Sequence, residues 1–69
     1  MRASTGRVVA FDPARGLGTV RGDDGTELTF HSTRLLDDSR TVEVGAAVVY
    51  ARAPGAAPGS WEATGIVKV

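Results

Sequence analysis

The chain has no cysteine and few aromatic residues: one tryptophan, one tyrosine and two phenylalanines among 69 residues. Without cysteine, neither a disulfide framework nor a thiolate metal site can staple it together, and a cytoplasmic location fits that lack. Its one histidine, His31, cannot supply a His/Cys ligand set, so no metal is expected. Long apolar runs are missing too. The longest, around residues 46–51, is far too short to span a bilayer, and no membrane partner is expected. The opening MRASTGRVVAF has no apolar core followed by a small-residue cleavage site, so no secretion signal is expected. An excess of one charge is also absent. Eight Lys+Arg balance eight Asp+Glu, leaving no global field to draw the protein onto a polyanion. A basic stripe on one face remains compatible with that balance. The basic residues are arginines (Arg2, Arg7, Arg15, Arg21, Arg34, Arg40 and Arg52) with Lys68 alone. With so much Ala, Gly and Val, that bias points to a GC-rich coding genome and a bacterial source.

What is present reads as short strands and turns. At 69 residues the chain allows one small domain, taken here as 1–69. No stretch longer than about two turns keeps apolar residues at helical spacing. GRVVAF (6–11), LGTVRG (17–22), TELTFH (26–31), AAVVYARA (46–53) and WEATGIVKV (61–69) read as five strands. DPARG is a loop, DDG supplies an Asp-Gly hairpin turn, and PGAAPGS (54–60) a further loop. The polar stretch 32–45 is a long connection with one helical turn around Leu35 and Leu36. Five short strands in this order predict an all-β fold, a small five-stranded antiparallel barrel. Period-two alternation assigns an inner set of Val8, Val20, Leu28, Phe30, Val48, Tyr50 and Ile66, with Val67 or Val69. It places Ala10 on the inner side with Val8. The outer face then carries Arg7, Phe11, Arg15, Arg21 and His31, a small basic and aromatic surface.

GRVVAFDPARGLGTVRGDDGTELTFHS resembles the first three strands of a cold-shock domain, the small OB-type barrel that binds single-stranded RNA and DNA. The family pattern runs Gly-x-Val-Lys-Trp-Phe-Asn, Lys-Gly-Phe-Gly-Phe-Ile and Val-Phe-Val-His-Phe. Gly6, Val8, Phe11, Gly16, Gly18 and His31 keep their places in it, with Asp12 for Asn, Arg15 for Lys and Val20 for Ile. VEVGAAVVYARA is similar to the family's Glu-Glu-Gly-x-x-Val-x-Phe stretch, and PGSWEATGIVKV to its closing strand. The likeness covers nearly the whole chain. It departs where the family binds: Ala10 stands for Trp, and Leu17, Thr19, Thr29 and Ser32 stand for four Phe. Base–aromatic stacking contributes roughly 1–3 kcal/mol per base. Losing three such bases removes on the order of 3–9 kcal/mol, or about two to six decades of affinity.

The resemblance implies a non-enzymatic binder of single-stranded RNA or DNA, weakened by the missing rings, with no cofactor. Its contacts would come from Arg7, Phe11, Arg15, Arg21, His31 and Trp61. Each has a plainer alternative. Phe11 is either a stacking ring or a residue closing the end of the core. The arginines contact phosphates, or pair with Asp23, Asp24 or Glu27. His31 stacks, or is a solvated strand residue; no nucleophile with an orienting acid lies near it in sequence, so a catalytic role is not expected. Trp61 plugs the barrel, relocates the stacking platform, or anchors a protein partner, the plug being favoured. The alternative for the whole chain is a protein-interaction module on a retained scaffold, with Val9, Leu17 and Trp61 forming its apolar patch. The Gly16-x-Gly18 spacing is no dinucleotide fingerprint, for it lacks the third glycine and the strand-to-helix context.

Overall fold

A computed structural model describes residues 3–37 and 39–69. Arg2 and Asp38, counted above in the charge balance and the connection, lie outside the described residues. Five strands form: β1 (Ser4–Asp12), β2 (Leu17–Gly22), β3 (Glu27–His31), β4 (Ala47–Pro54) and β5 (Trp61–Lys68). They close into a barrel in the order β1-β2-β3-β5-β4. One neighbour pair is parallel, β3 with β5, where an antiparallel barrel is expected. The reason is parity, because an odd number of strands cannot alternate direction all the way round a closed ring. Among the described residues no helix is long and apolar enough to cross a membrane.

β2 and β3 alternate without a break. Gly18, Val20 and Gly22 are buried in the first and Leu28 and Phe30 in the second, while their neighbours face outward. β1 does not alternate cleanly. Its register with β2 shifts between Val8 and Ala10, so Val9 is a bulged extra residue and every later side chain changes sides. Ala10, expected beside Val8 on the inner side, is therefore exposed, and Phe11 packs against the core instead.

A second bulge corrects the expected inner role of Val67 or Val69. Val49 pairs with Val67 and Ala51 with Thr64, so Gly65 and Ile66 together oppose Tyr50. Gly65 takes a left-handed φ of 58°, which suits a residue without a Cβ. Ile66 turns inward as a result, while Val67 and Val69 lie outside.

The core comprises Val8, Val20, Leu28, Phe30, Leu35, Val42, Val48, Tyr50, Ala63 and Ile66. Leu35 and Val42 come from the polar connection, where sequence alone offers no periodic signal. The helical turn there is a 3-10 turn at Ser32–Arg34, just before the expected position. Leu35 is already extended and bridges in parallel to Ile66, and the Leu36 N–H donates to the Ile66 carbonyl at 2.9 Å. The strand-like path buries Leu35 and leaves Leu36 64% exposed. Leu36 then lies beside Val67 and Val49, so the outer face of β4–β5 carries an apolar stripe.

Candidate functional site

Pairing across β1, β2 and β3 sets the outer face out in rows. Arg7, Arg21 and Glu27 form one row, Ala10, Thr19 and Thr29 the next, and Asp12, Leu17 and His31 the third. Thr29 also pairs with Glu62 of β5, extending the middle row across the seam. The middle row is short-chained. Around it lies an open hollow of about 410 Å³ lined by Ala10, Phe11, Asp12, Leu17, Thr19 and Thr29. Gly18 forms its floor, and a Cβ there would run into the ring of Phe30. Four of the five positions that carry rings in the resembled family thus surround one concavity. Ser32, the fifth, belongs elsewhere: it is buried, its N–H donating to the Gly16 carbonyl at 2.8 Å.

The loop above the hollow is ordered by Asp12. Its Oδ1 accepts the N–H groups of Ala14 at 3.0 Å and Arg15 at 3.3 Å. The Gly16 N–H donates to the Asp12 carbonyl at 2.9 Å, and Gly16 has a φ of 66°. This Asx-type turn leaves Arg15 in solvent. His31, opposite Leu17, has a fixed ring. Its Nδ1 accepts the Thr33 N–H at 3.2 Å and meets the Thr33 hydroxyl at 3.0 Å. Because Nδ1 accepts, the neutral ring carries its proton on Nε2.

Arg21 is committed to Glu27, with Nε at 2.9 Å and Nη2 at 2.6 Å from Oε2. Arg7 donates through Nη1 to the Gly45 carbonyl at 2.9 Å. Arg34 and Glu62 pair at 3.9 Å beside the seam. Trp61 is 56% exposed, stands outside the core cluster and pairs in register with Pro54. That exposure corrects its expected role as a plug: Trp61 shares a side of β5 with the buried Ala63, but at the strand's first residue it stands beyond the core.

Of the expected site residues, Phe11 lines the hollow and serves the core as well, His31 pairs with its wall residue Leu17, and Arg15 is exposed in the turn after Asp12. The structure leaves Arg7 and Arg21 in the far row and Trp61 across the seam, away from the hollow. Leu17 is exposed as the apolar-patch alternative requires, but it lines the hollow without Val9 or Trp61. The walls themselves, Ala10, Leu17, Thr19 and Thr29, were legible in β2 and β3 as an outward period-two set. In β1 the bulge concealed Ala10.

No family model and no curated protein matches this sequence. Among solved structures, Drosophila Unr CSD456 superimposes on 99% of this chain with a TM-score of 0.82 at 22% identity. This chain spans 27% of that one. The likeness is one of fold: the chain is a five-stranded barrel of the cold-shock OB type.

Proposed function

We propose that this protein binds single-stranded RNA or DNA weakly, on the outer face of β1–β3. The observation that carries this reading is the hollow bounded by Phe11, Leu17, Thr19 and Thr29, with His31 paired to Leu17 and Arg15 exposed in the turn after Asp12. A base can rest on carbon in the hollow and stack on the edge-lying rings, while Arg15 meets a phosphate. Cold-shock likeness in fold supports the same face. Weakness follows from the missing rings and from the pairing of Arg21 with Glu27. An NMR titration with a short pyrimidine-rich oligonucleotide at low salt should shift Leu17, Thr19, Thr29 and His31 together. No shift at millimolar oligonucleotide would overturn the reading.

A second reading, a protein-binding module, draws on the exposed Leu36 and Val67 and the half-buried Val49 on the outer face of β4–β5. Salt separates the two. Even a few phosphate contacts weaken as salt rises, whereas an apolar protein interface does not.

A further inference from the structure

A second hollow, of about 250 Å³, lies at the opposite end of the β1–β2 hairpin from the first. Thr5, Gly22, Asp23, Asp24 and Arg52 wall it, and Tyr50 reaches it from inside the barrel. Tyr50 is 1% exposed, and its hydroxyl has no hydrogen-bond partner among the described residues. A buried hydroxyl left unpaired is costly, while phenylalanine fills the same space without that cost. The motif resembled by residues 42–50 has Phe at this place, so the hydroxyl is an addition.

Gly22 puts no side chain between the two acceptors. A Cβ there would lie 2.7 Å from Tyr50 Oη and 2.9 Å from Asp24 Oδ1. A free ligand atom cannot occupy that point, a bond length from the Gly22 Cα, but the missing side chain leaves both oxygens on the same wall of the hollow. The surrounding groups define its chemistry. Asp23 and Asp24 bring two negative charges against the one positive charge of Arg52. Thr5 Oγ1 donates to Asp23 Oδ2, the Thr26 N–H to Asp24 Oδ1 at 3.0 Å, and Arg52 Nη2 to Asp24 Oδ2 at 3.0 Å. What remains is mostly lone pairs, and among the described residues the site carries net negative charge.

We propose that this hollow binds a primary alkylammonium group, seated against Gly22 and donating to Tyr50 Oη and Asp24 Oδ1. Ammonium suits it because it offers three donors and no acceptor. An anion is repelled by two carboxylates. A hard divalent ion needs about six oxygen ligands, and here a guanidinium occupies one wall. Arg52 holds Asp24 Oδ2, so the incoming ammonium takes Oδ1 as it reaches the hydroxyl, and the neighbouring guanidinium opposes its charge. The group could come from a free amine or from a lysine side chain. The site is independent of the outer face of β1–β3, and neither reading stands or falls with the other.

The test is an NMR titration of the whole chain with n-butylammonium chloride, with tetramethylammonium chloride at equal ionic strength as the control. The expected result is a saturable shift of the Gly22 amide and the Tyr50 ring with the first salt only. Tyr50→Phe keeps the packing and should weaken binding about tenfold, the value of one hydrogen bond to a charged group. Asp24→Asn should weaken it as well, whereas Arg52→Gln should tighten it. Putrescine and N-acetyl-lysine amide, titrated separately, tell the two sources apart by which binds more tightly. Equal shifts with tetramethylammonium, or unchanged affinity in Tyr50→Phe, would overturn the proposal. An unresponsive site would do the same and would point to a trapped water on the hydroxyl.

Discussion

Phe11 and Phe30 lie nearly parallel and offset, with ring centroids 6.1 Å apart and an angle of 8° between their planes. Unbroken alternation in β1 would set Phe11 on the outer side of the sheet from Phe30. The bulge at Val9 reverses it. Phe11 thus supports the barrel end before it meets any ligand, and Phe11→Ala should cost about 2–3 kcal/mol, less than a fully buried phenylalanine. Chemical denaturation measures that loss. His31→Ala, whose ring is exposed, should leave stability nearly unchanged and is the cleaner probe of binding.

Thr19 and Thr29 face each other directly across β2 and β3. Phenylalanine at both places would stand on the outer face without entering the core. Each ring should raise affinity for a pyrimidine-rich oligonucleotide by about tenfold, from stacking of roughly 1–3 kcal/mol per base. Fluorescence titration of Thr19→Phe, Thr29→Phe and the double variant checks this. An unchanged affinity in the double variant would count against the assigned face.

Gly18 is held by its neighbours. An added methyl would collide with Phe30 Cζ and lie 2.7 Å from its Cε1 and 2.9 Å from the Ala10 carbonyl oxygen. Gly18→Ala should destabilise by about 1–3 kcal/mol through overpacking. Thermal unfolding should show it, and Gly25→Ala, in open space, should cost less and only through its left-handed backbone.

The Asp37 carboxylate receives Lys68 Nζ at 2.8 Å and the Ser39 hydroxyl at 2.8 Å. Lys68 first, then Ser39, holds its pKa down at about 2, from an ordinary 3.8. A carboxyl whose pKa is lowered on folding stabilises the fold above its unfolded value, and that contribution is lost as pH falls through the folded one. Asp37→Asn should therefore melt earlier than the parent at neutral pH. The gap in melting temperature should close between about pH 4 and pH 2.

Arg7 and Arg15 make no ion pair among the described residues, while Arg21, Arg34 and Arg52 each do. Oligonucleotide binding should consequently show a shallow salt dependence, with a log–log slope of about −1 to −2 for two or three phosphates. A slope near that of a strongly basic protein would mean that the ion pairs open on binding.

The barrel was legible because β2 and β3 alternate cleanly, and because turns at Asp12–Gly16 and Asp24–Gly25 carry their usual residues. The misplacements have local causes. One extra residue at Val9 and one at Gly65 each invert the inward and outward sides of their strand; the glycine is a bulge signal that the period-two reading overlooks, and the valine gives none. Leu35 and Val42 join the core from a stretch with no period, Leu35 through its bridge to Ile66. Trp61 looked like a plug by residue type, yet it stands at the first residue of β5, past the end of the core.

The seam between β3 and β5 holds a single register pair, Thr29 with Glu62, reinforced by the bridge from Leu35 to Ile66. Its two sides are far apart in the chain, whereas β1, β2 and β3 form a meander of near neighbours. Loop closure of that length is entropically costly and slow. The chain should therefore assemble its ligand-facing sheet first and zip the seam last. On unfolding, amides along Trp61–Ala63 should exchange ahead of those in β2. The face proposed to meet a ligand is then the earliest part of the molecule to exist, and closure of the ring is what makes it last.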